Sequence, residues 1–292
     1  MADLSPAVLP TAPHAPENQT NDAICIMSFN ALDATGALGL TADSLTIASV
    51  GAYPVSVACC IQISDTNRIF SHIALEDELV MDQARTVLED MPVQAFKLGV
   101  LGSVENIEVI AEIISDYPHI PVIVDPIVAS GRGDELASEL MLATLREFII
   151  PQATLITPNT MEARRLVASY GDDGEERSMA DCATMLLELG TEYVLITGSH
   201  ANTPQVVNTL YGAKGVLRAD PWERLPGSYH GSGCTLASAA AAALAHGLDM
   251  SNAVFEAQGF TWQTLSAAFR PGMGQYIPDR FFWAGPPDRG GG

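Results

Sequence analysis

Positive charge is scarce in this sequence. Its 292 residues include 14 Lys and Arg against 35 Asp and Glu, so the formal net charge is −21. Such a balance argues against nucleic acid or an anionic membrane surface as a partner. A phosphate ligand stays open, because a helix terminus attracts an anion locally whatever the overall charge is.

Long apolar runs are also missing. No uninterrupted run reaches the roughly 18 residues that a membrane-spanning helix needs. Residues 1–20 are rich in Pro, Ala and Asn, and they lack the basic start and apolar block of a signal peptide. We therefore expect a soluble cytoplasmic protein without a membrane partner.

The cysteines show no pairing pattern. There are five, an odd number, and no two form a C-x-x-C pair, which argues against a disulfide framework and against a zinc site. Most lie in apolar runs, as free buried thiols do in a reducing compartment. They are Cys25, Cys59, Cys60, Cys182 and Cys234.

What the chain does contain is an alternation of short apolar runs and helical patterns. Several runs are apolar throughout, which is typical of strands covered on both faces. The alternation predicts an α/β fold with a mainly parallel central sheet and helices on both sides. We expect a disordered leader over residues 1–20, a single domain over residues 21–284 and a flexible tail over residues 285–292.

The boundaries follow from the apolar periodicity. The predicted strands are Ala23–Phe29, Val55–Ile63, Ala95–Val100, Pro121–Val124, Thr154–Thr157 and Tyr193–Thr197. The predicted helices are Ala42–Val50, Asp82–Leu88, Val104–Ser115, Glu135–Phe148, Met161–Ala168, Met179–Leu189, Cys234–His246 and Asn252–Ala268. The aromatic segment Phe269–Trp283 is expected to pack on the domain as an ordered strap rather than a helix.

Polar side chains gather where predicted strands end. Asp125, Asn159 and Thr197 each stand at or just after the end of an apolar run. In parallel sheets, ligands bind at the carboxyl ends of the strands. The ordered set therefore predicts a site at that edge of the sheet.

The most informative stretch runs from Ser228 to Cys234 and leads into an alanine-rich helix. Gly231, Ser232 and Gly233 allow close approach to the helix start, where unpaired N–H groups and the helix dipole bind anions. Cys234 stands in the first turn, where a thiolate is favoured. We interpret the stretch as a phosphoryl-transfer site. The plainer alternative is an ordinary turn with a small buried cysteine.

Over residues 22–270 the chain resembles the ribokinase-like superfamily and, within it, the hydroxymethylpyrimidine/phosphomethylpyrimidine kinases of thiamine biosynthesis. Most of the superfamily has Asp where this chain has Cys234, and Cys is found in the pyrimidine kinases and in some related pyridoxal kinases. The matching stretches are Asp33-Ala-Thr-Gly36, Gly39, Ala42-Asp43, Gly51-Ala-Tyr53, Lys97-Leu-Gly99, Leu101-Gly102, Asp125-Pro126, Gly133-Asp134, Thr157-Pro-Asn159, Glu162-Ala163, Thr197-Gly198, His200 and His230-Gly-Ser-Gly-Cys-Thr-Leu236.

The resemblance implies a three-layer α/β/α fold, a homodimer, and transfer of the γ-phosphoryl group of ATP to the hydroxymethyl group of hydroxymethylpyrimidine, with its monophosphate as an open second acceptor. Gly231 to Cys234 would hold the transferring group, and Cys234 would be the base or a positioning group for the hydroxyl. Asp125 and Glu162 would organise Mg²⁺ with Asn159. Thr197, Gly198 and His200 would contact the nucleotide. The acceptor pocket would include Asp33, Gly36, Asp43, Gln62, Ser64 and Val100.

The chain departs from the family pattern mostly in the acceptor pocket. Leu38 is bulkier than the family's residue, and Thr41, Ser64 and Val100 replace two glutamines and a methionine. Gln62, two residues before Ser64, shares its strand face and is a candidate substitute. On the nucleotide side, Thr197 replaces a lysine and so removes a positive charge.

Several alternatives remain open at this point. The chain is also compatible with a pyridoxal kinase, or with a catalytically impaired relative that binds a thiamine precursor or nucleotide. Asn159 and Glu162 also fit a plain helix cap, Asp125 before Pro126 a turn, and His230 a solvated loop.

Overall fold

The computed structural model describes residues 23–128, 136–168, 177–198 and 203–285. Within these ranges nine strands form one sheet. In chain order they are β1 (Cys25–Asp33), β2 (Tyr53–Ser64), β3 (Ile69–Ala74), β4 (Val93–Leu98), β5 (Val122–Val124), β6 (Leu155–Ile156), β7 (Tyr193–Ile196), β8 (Gln205–Gly212) and β9 (Gly215–Glu223).

The sheet is mainly parallel, as predicted. Its strand order is β3-β2-β1-β4-β5-β6-β7-β8-β9. The six strands from β2 to β7 in this order pair in parallel. The edge strand β3 and the hairpin β8–β9 pair antiparallel. The predicted α/β class is therefore confirmed.

Eight α-helices accompany the sheet in the described part of the chain. They are α1 (Gly39–Ser49), α2 (Asp77–Asp90), α3 (Val104–Asp116), α4 (Glu139–Thr144), α5 (Thr160–Val167), α6 (Met179–Glu188), α7 (Ser232–Ala245) and α8 (Met250–Ser266). Each corresponds to a predicted helix. The largest difference concerns α4, which begins at Glu139 because the Ser138 side chain caps it, and passes into a π-helical turn at Leu145.

Two apolar cores lie on opposite faces of the sheet, which makes the fold three-layered. The alternation of side chains along β1 sends Met27 and Phe29 into the core under α2 to α6. It sends Ile26 into the core under α1, α7 and α8. The alanines of α7 are small enough to let this helix pack closely on the sheet and on α8.

Three strands, β3, β8 and β9, escape the sequence analysis. Most of β9 is exposed, and it contains Pro221, so neither an apolar run nor a clean alternation marks it. In β8 only the second half is buried. All three lie towards the edges of the sheet, where one-sided burial leaves a weak sequence pattern.

The segment after α8 is ordered without being an α-helix, as expected. Phe269 and Ile277 exchange two backbone hydrogen bonds, and a 3-10 turn closes the segment at Phe282–Ala284. We call residues 269–284 the strap. No helix among the described residues has the length and apolar character to cross a membrane. Residues 1–20 and 286–292, assigned to leader and tail, lie outside the described ranges.

Candidate active site

The start of α7 lies at the centre of the candidate site. Gly231 caps the helix with φ of 93°, a conformation that glycine adopts without strain. A Cβ on Gly231 would meet the carbonyl oxygen of Ala37 at 2.1 Å, so only glycine fits there. Gly231, Ser232, Gly233 and Cys234 all line one cavity. The turn therefore has the glycines and the helix start that the sequence predicts, and anion binding at this turn stays a prediction.

A buried ion pair lies beneath this turn. The Lys97 ammonium is 3.0 Å from Asp43 Oδ1 and 3.9 Å from Asp125 Oδ2. Asp43 also accepts hydrogen bonds from Ser238 Oγ at 2.8 Å and from Asn30 Nδ2 at 2.9 Å. Burial opposes the charge on Lys97, but Asp43 and the other acidic groups nearby hold its pKa above the ordinary value. Lys97 thus stays protonated inside the protein.

Cys234 is a thiol rather than a thiolate in this environment. Its side chain is buried, and burial raises its pKa to about 12, although Lys97 acts in the opposite direction. Asp125 and Asp43 raise the pKa further. The expectation that the helix start favours the thiolate is therefore wrong, because desolvation beside two carboxylates outweighs the helix dipole.

Asp125 and Glu162 form a pair of carboxyl groups whose pKa values both lie above the ordinary range. Burial raises the pKa of Asp125 to about 6, with Lys97 opposing. Burial and the charge of Asp125 raise the pKa of Glu162 to about 8. Asp125 Oδ2 has no hydrogen-bond partner among the described residues. Carboxyl oxygens are ligands that suit a hard divalent cation, and a bound cation would favour the charged form of both groups.

The pair alone is not a complete protein cage for a metal. In the described part of the chain, no three His, Cys, Asp or Glu residues cluster closely enough to hold an ion. A Mg²⁺ ion commonly keeps several waters and takes one or two carboxylates plus substrate phosphates. Asp125 and Glu162 would supply those one or two carboxylates.

Asn159 is the cap of α5. Its Oδ1 accepts hydrogen bonds from the N–H groups of Met161 and Glu162, and Glu162 Oε2 accepts the N–H of Asn159 in return. The plain capping interpretation is therefore realised. Asn159 and Glu162 also line the cavity. The cap fixes their position at the cavity wall, and a role towards a metal or nucleotide remains a prediction.

At one end the cavity is lined mainly by apolar groups. Leu38, Ile69 and Val100 contribute apolar side chains, and Gln62 and Gln275 contribute two amides. Gln62 is buried and donates weakly to Ser64 Oγ at 3.4 Å. We call this the acceptor end.

Four residues predicted to contact the acceptor do not line the described cavity. Asp33 accepts hydrogen bonds from Thr35 and from the N–H of Leu38, so it shapes the loop instead. Ser64 donates to Asp33, and Asp43 is fully buried against Lys97. Gly36 provides a positive φ in the same loop. In this structure these four residues support the loop and the buried ion pair, and their contact with an acceptor stays a prediction.

The other end of the cavity is formed largely by the β8–β9 hairpin and α8, and we call it the nucleotide end because the nucleotide is predicted to bind there. Thr197 lines it, together with Asn208, Trp222 and Trp262. Gly198 does not line the described cavity, and its N–H donates to Asn208 Oδ1 at 3.1 Å. His200 and the Gly133-Asp134 pair lie outside the described residues.

His230 is not the solvated loop residue that the sequence suggested. It is 6% exposed, and its N–H donates to the carbonyl of Tyr276 in the strap. The strap covers this loop and removes the side chain from water.

Comparison with known proteins agrees with the fold. The sequence profile of the phosphomethylpyrimidine kinase family matches residues 33–279, which is most of the chain. The chain belongs to this family. The hydroxymethylpyrimidine/phosphomethylpyrimidine kinase of Mycobacterium bovis is 34% identical over 265 residues, covering 90% of this chain and 94% of that protein.

Another relative of this kinase-family chain is longer. The thiamine biosynthesis bifunctional protein of Geobacter sulfurreducens is 31% identical over 249 residues. The match covers 85% of this chain and only 50% of that protein, so the chain spans about half of it.

Solved kinase structures share the fold. A phosphomethylpyrimidine kinase from Clostridium difficile is 28% identical, with a TM-score of 0.70 over 83% of this chain and 99% of that chain. An ADP complex of Bacillus subtilis pyridoxal kinase is 25% identical, with a TM-score of 0.77 over 90% of this chain and 99% of that chain. The small-molecule kinase assignment is thereby confirmed.

Sequence reasoning missed several residues of this kinase site. Asn30 lines the cavity while its Oδ1 accepts the N–H of Val100 and its Nδ2 donates to Asp43. Lys97 belongs to the matching stretch Lys97-Leu-Gly99, but the sequence predicts no role for its side chain. A charged residue inside an apolar strand is the signal that points to Lys97, because such a side chain must find a buried partner.

Proposed function

We propose that the protein is an ATP-dependent kinase that phosphorylates the hydroxymethyl group of hydroxymethylpyrimidine in thiamine biosynthesis. The observation that carries the proposal is a single cavity of about 750 Å³ in which the acceptor end and the nucleotide end meet at the start of α7. Such an arrangement brings two substrates into line at one anion-binding turn.

The reaction forms one bond and breaks one. The acceptor hydroxyl oxygen bonds to the γ-phosphorus of ATP, the bond from that phosphorus to the β,γ-bridging oxygen breaks, and ADP leaves. The hydroxyl proton is released. Backbone N–H groups at Gly231 to Cys234 would stabilise the charge on the transferring group.

Cys234 fits a positioning role for the hydroxyl better than that of a resident thiolate base. Its pKa of about 12 keeps the proton on sulfur near neutral pH. The thiol adjoins Asp125, whose negative charge helps to keep the proton on sulfur.

Asp125 and Glu162 would hold Mg²⁺ together with phosphate oxygens and water. When bound, the ion would neutralise phosphate charge. The two carboxyl groups are positioned by β5 and by the cap of α5, which keeps them at the cavity wall between its two ends.

The experiment offers three acceptors in parallel with Mg²⁺-ATP and measures ADP release. The acceptors are hydroxymethylpyrimidine, its monophosphate and pyridoxal, and Cys234→Ala is the control variant. Turnover on the pyrimidines that collapses in the variant supports the proposal. Turnover on none of the three acceptors contradicts it.

A second candidate is a pyridoxal kinase. It is favoured by the altered acceptor end and by the likeness to a solved pyridoxal kinase. Both candidates use the same anion-binding turn and differ in the ring that the acceptor end holds. Turnover on pyridoxal alone in the same assay would select this candidate.

We also propose that the protein is a homodimer. Leu32, Ile61 and Ile73 are 46%, 45% and 59% exposed, and they stand side by side in register across β1, β2 and β3. Such a row on a sheet next to an edge strand is suited to burial against a second copy. Light scattering should give a dimer mass for the native chain and a monomer mass for Ile61→Lys, with Tyr53→Lys as a control for an exposed β2 residue outside that row.

A further inference from the structure

The strap is attached to the loops on either side of the site. Gln275 donates its N–H to the carbonyl of Thr66 and its side-chain amide to Ser228 Oγ. Tyr276 donates its N–H to the carbonyl of Ser228 and accepts the N–H of His230. The strap therefore bridges the β2–β3 turn and the loop that leads into α7.

Arg280 extends from the strap to the helix start itself. Its Nη2 donates to the carbonyl of Ala37 at 2.9 Å and, at 3.5 Å, to the carbonyl of Gly231. Its Nε donates to Thr235 Oγ1 at 3.1 Å. Thr235 Oγ1 in turn donates to the Gly231 carbonyl at 2.8 Å. One side chain thus joins the β1–α1 loop at Ala37, which we call the acceptor loop, to the turn that caps α7.

The guanidinium contributes a positive charge there. Arg280 is 3% exposed, and these three hydrogen bonds all go to neutral oxygens of the described residues. Burial lowers its pKa, and the neighbouring Cys234 and Asp43 act in the opposite direction. Arginine stays charged even under a large shift, so its field adds to that of the helix start.

We propose that Arg280 is a positioning residue of the phosphoryl-transfer site, which holds the acceptor loop at Ala37 against the start of α7 at Gly231 and adds positive charge behind that turn. The inference rests on the proposed kinase function. The C-terminal strap thereby carries a cation to the turn at the start of α7.

The test compares Arg280→Met, Arg280→Lys and the control Arg270→Met. Arg270 is an exposed arginine of the same strap that donates to the Met273 carbonyl and lies over the ring of Tyr276. For Arg280→Met we expect kcat to fall about 10²-fold, because geometry and charge at the transferring group are both lost, with much smaller changes in KM. Arg280→Lys keeps the charge and loses the forked geometry, so it should recover part of kcat. Arg270→Met should match the native enzyme.

A native kcat in folded Arg280→Met would overturn the inference, as would equal loss in Arg270→Met. If Arg280→Met fails to fold, the folded Arg280→Lys decides: a loss of about tenfold in kcat supports the inference, and an unchanged kcat overturns it.

If the native chain turns over no acceptor, the proposed function has failed. Calorimetry then decides on Arg280: weaker ADP binding with unchanged adenosine binding in the variant supports a role at the phosphates, and equal ADP binding overturns it.

Discussion

Two regions of the candidate site, the turn at the start of α7 and the acceptor end of the cavity, are built in different ways. The turn lies on fully buried charged residues, Lys97 and Asp43, whose polar atoms are held by several hydrogen bonds. The acceptor end is lined by apolar side chains and by the amides of Gln62 and Gln275. Buried charged groups hold the turn at α7 in place, whereas the volumes of apolar side chains set the shape of the acceptor end.

This difference has a consequence for substitutions. A buried charge network tolerates few changes, because removing one member leaves another desolvated without compensation. An apolar wall tolerates changes of side-chain size at the cost of a shifted preference. Changes near the turn should therefore alter rate or stability, whereas changes at the acceptor end should alter the choice of substrate.

The largest effect is expected from Cys234→Ala. Losing the group that holds the hydroxyl should lower kcat by about 10²- to 10⁴-fold. Cys234→Ser should retain more activity, because a hydroxyl can position the acceptor without ionising. Steady-state kinetics on the preferred acceptor checks both variants. Equal loss in Ala and Ser would favour a thiolate base over the positioning role.

The next largest effect concerns the buried ion pair. Lys97→Met should lower the free energy of unfolding by about 3–5 kcal/mol, because Asp43 keeps a buried charge without its partner. The matched control is Arg85→Met, which removes a surface pair with Glu112 and Asp116 and should cost about 0.2–1 kcal/mol. Urea unfolding measures both. A loss below that of the control would show that the network does not fix the turn.

A smaller effect should appear in the pH dependence of stability. Glu162 has a pKa of about 8 in the folded chain, well above its value in an unfolded chain, so the folded state binds the proton more tightly. Its contribution is present at low pH and is lost as pH rises through about 8. Stability should therefore fall by a few kcal/mol from about pH 5 to about pH 9.

Asp125, with a pKa of about 6, should contribute to the lower part of this fall. Glu162→Gln keeps an oxygen for the N–H of Asn159 and should remove the upper part of the slope. Mg²⁺-ADP should also reduce the slope, since a bound cation favours the charged carboxylates. Thermal melts across the pH range measure it, and a flat native profile would contradict the burial argument.

The sheet centre and the turn at α7 could be predicted from the sequence. Continuous apolar runs mark strands such as Cys25–Asp33, and the glycines before the alanine-rich helix mark the turn at the start of α7. Both signals are local in the chain. The acidity of Cys234 could not be predicted, because it depends on the burial of Asp125 and Asp43 around it.

The rest of the site depends on contacts between distant segments. Arg280 is 243 residues from Ala37 in the chain, so no local sequence pattern predicts the hydrogen bond between them. The β8–β9 hairpin contributes Trp222 to the nucleotide end, although exposure of β9 erased its strand signal. Asp33 and Asp43 lie in motifs that match the family pattern. In the structure, however, Asp33 accepts the N–H of Leu38, and Asp43 pairs with Lys97.

The smallest effect is expected at the acceptor end, with Leu38 as the residue that sets its size. Leu38→Ala should enlarge this end and raise kcat/KM for pyridoxal relative to hydroxymethylpyrimidine by about tenfold, since a side-chain change in an apolar pocket is worth about 1–3 kcal/mol. Leu38→Met, which nearly conserves volume, should leave the ratio close to native. Competition between the two acceptors in one assay measures the ratio directly. A lower kcat on both acceptors with an unchanged ratio would mean that Leu38 acts through Gly39 and the turn at α7, and the division between a charge-fixed region and a volume-shaped region would fail at this loop.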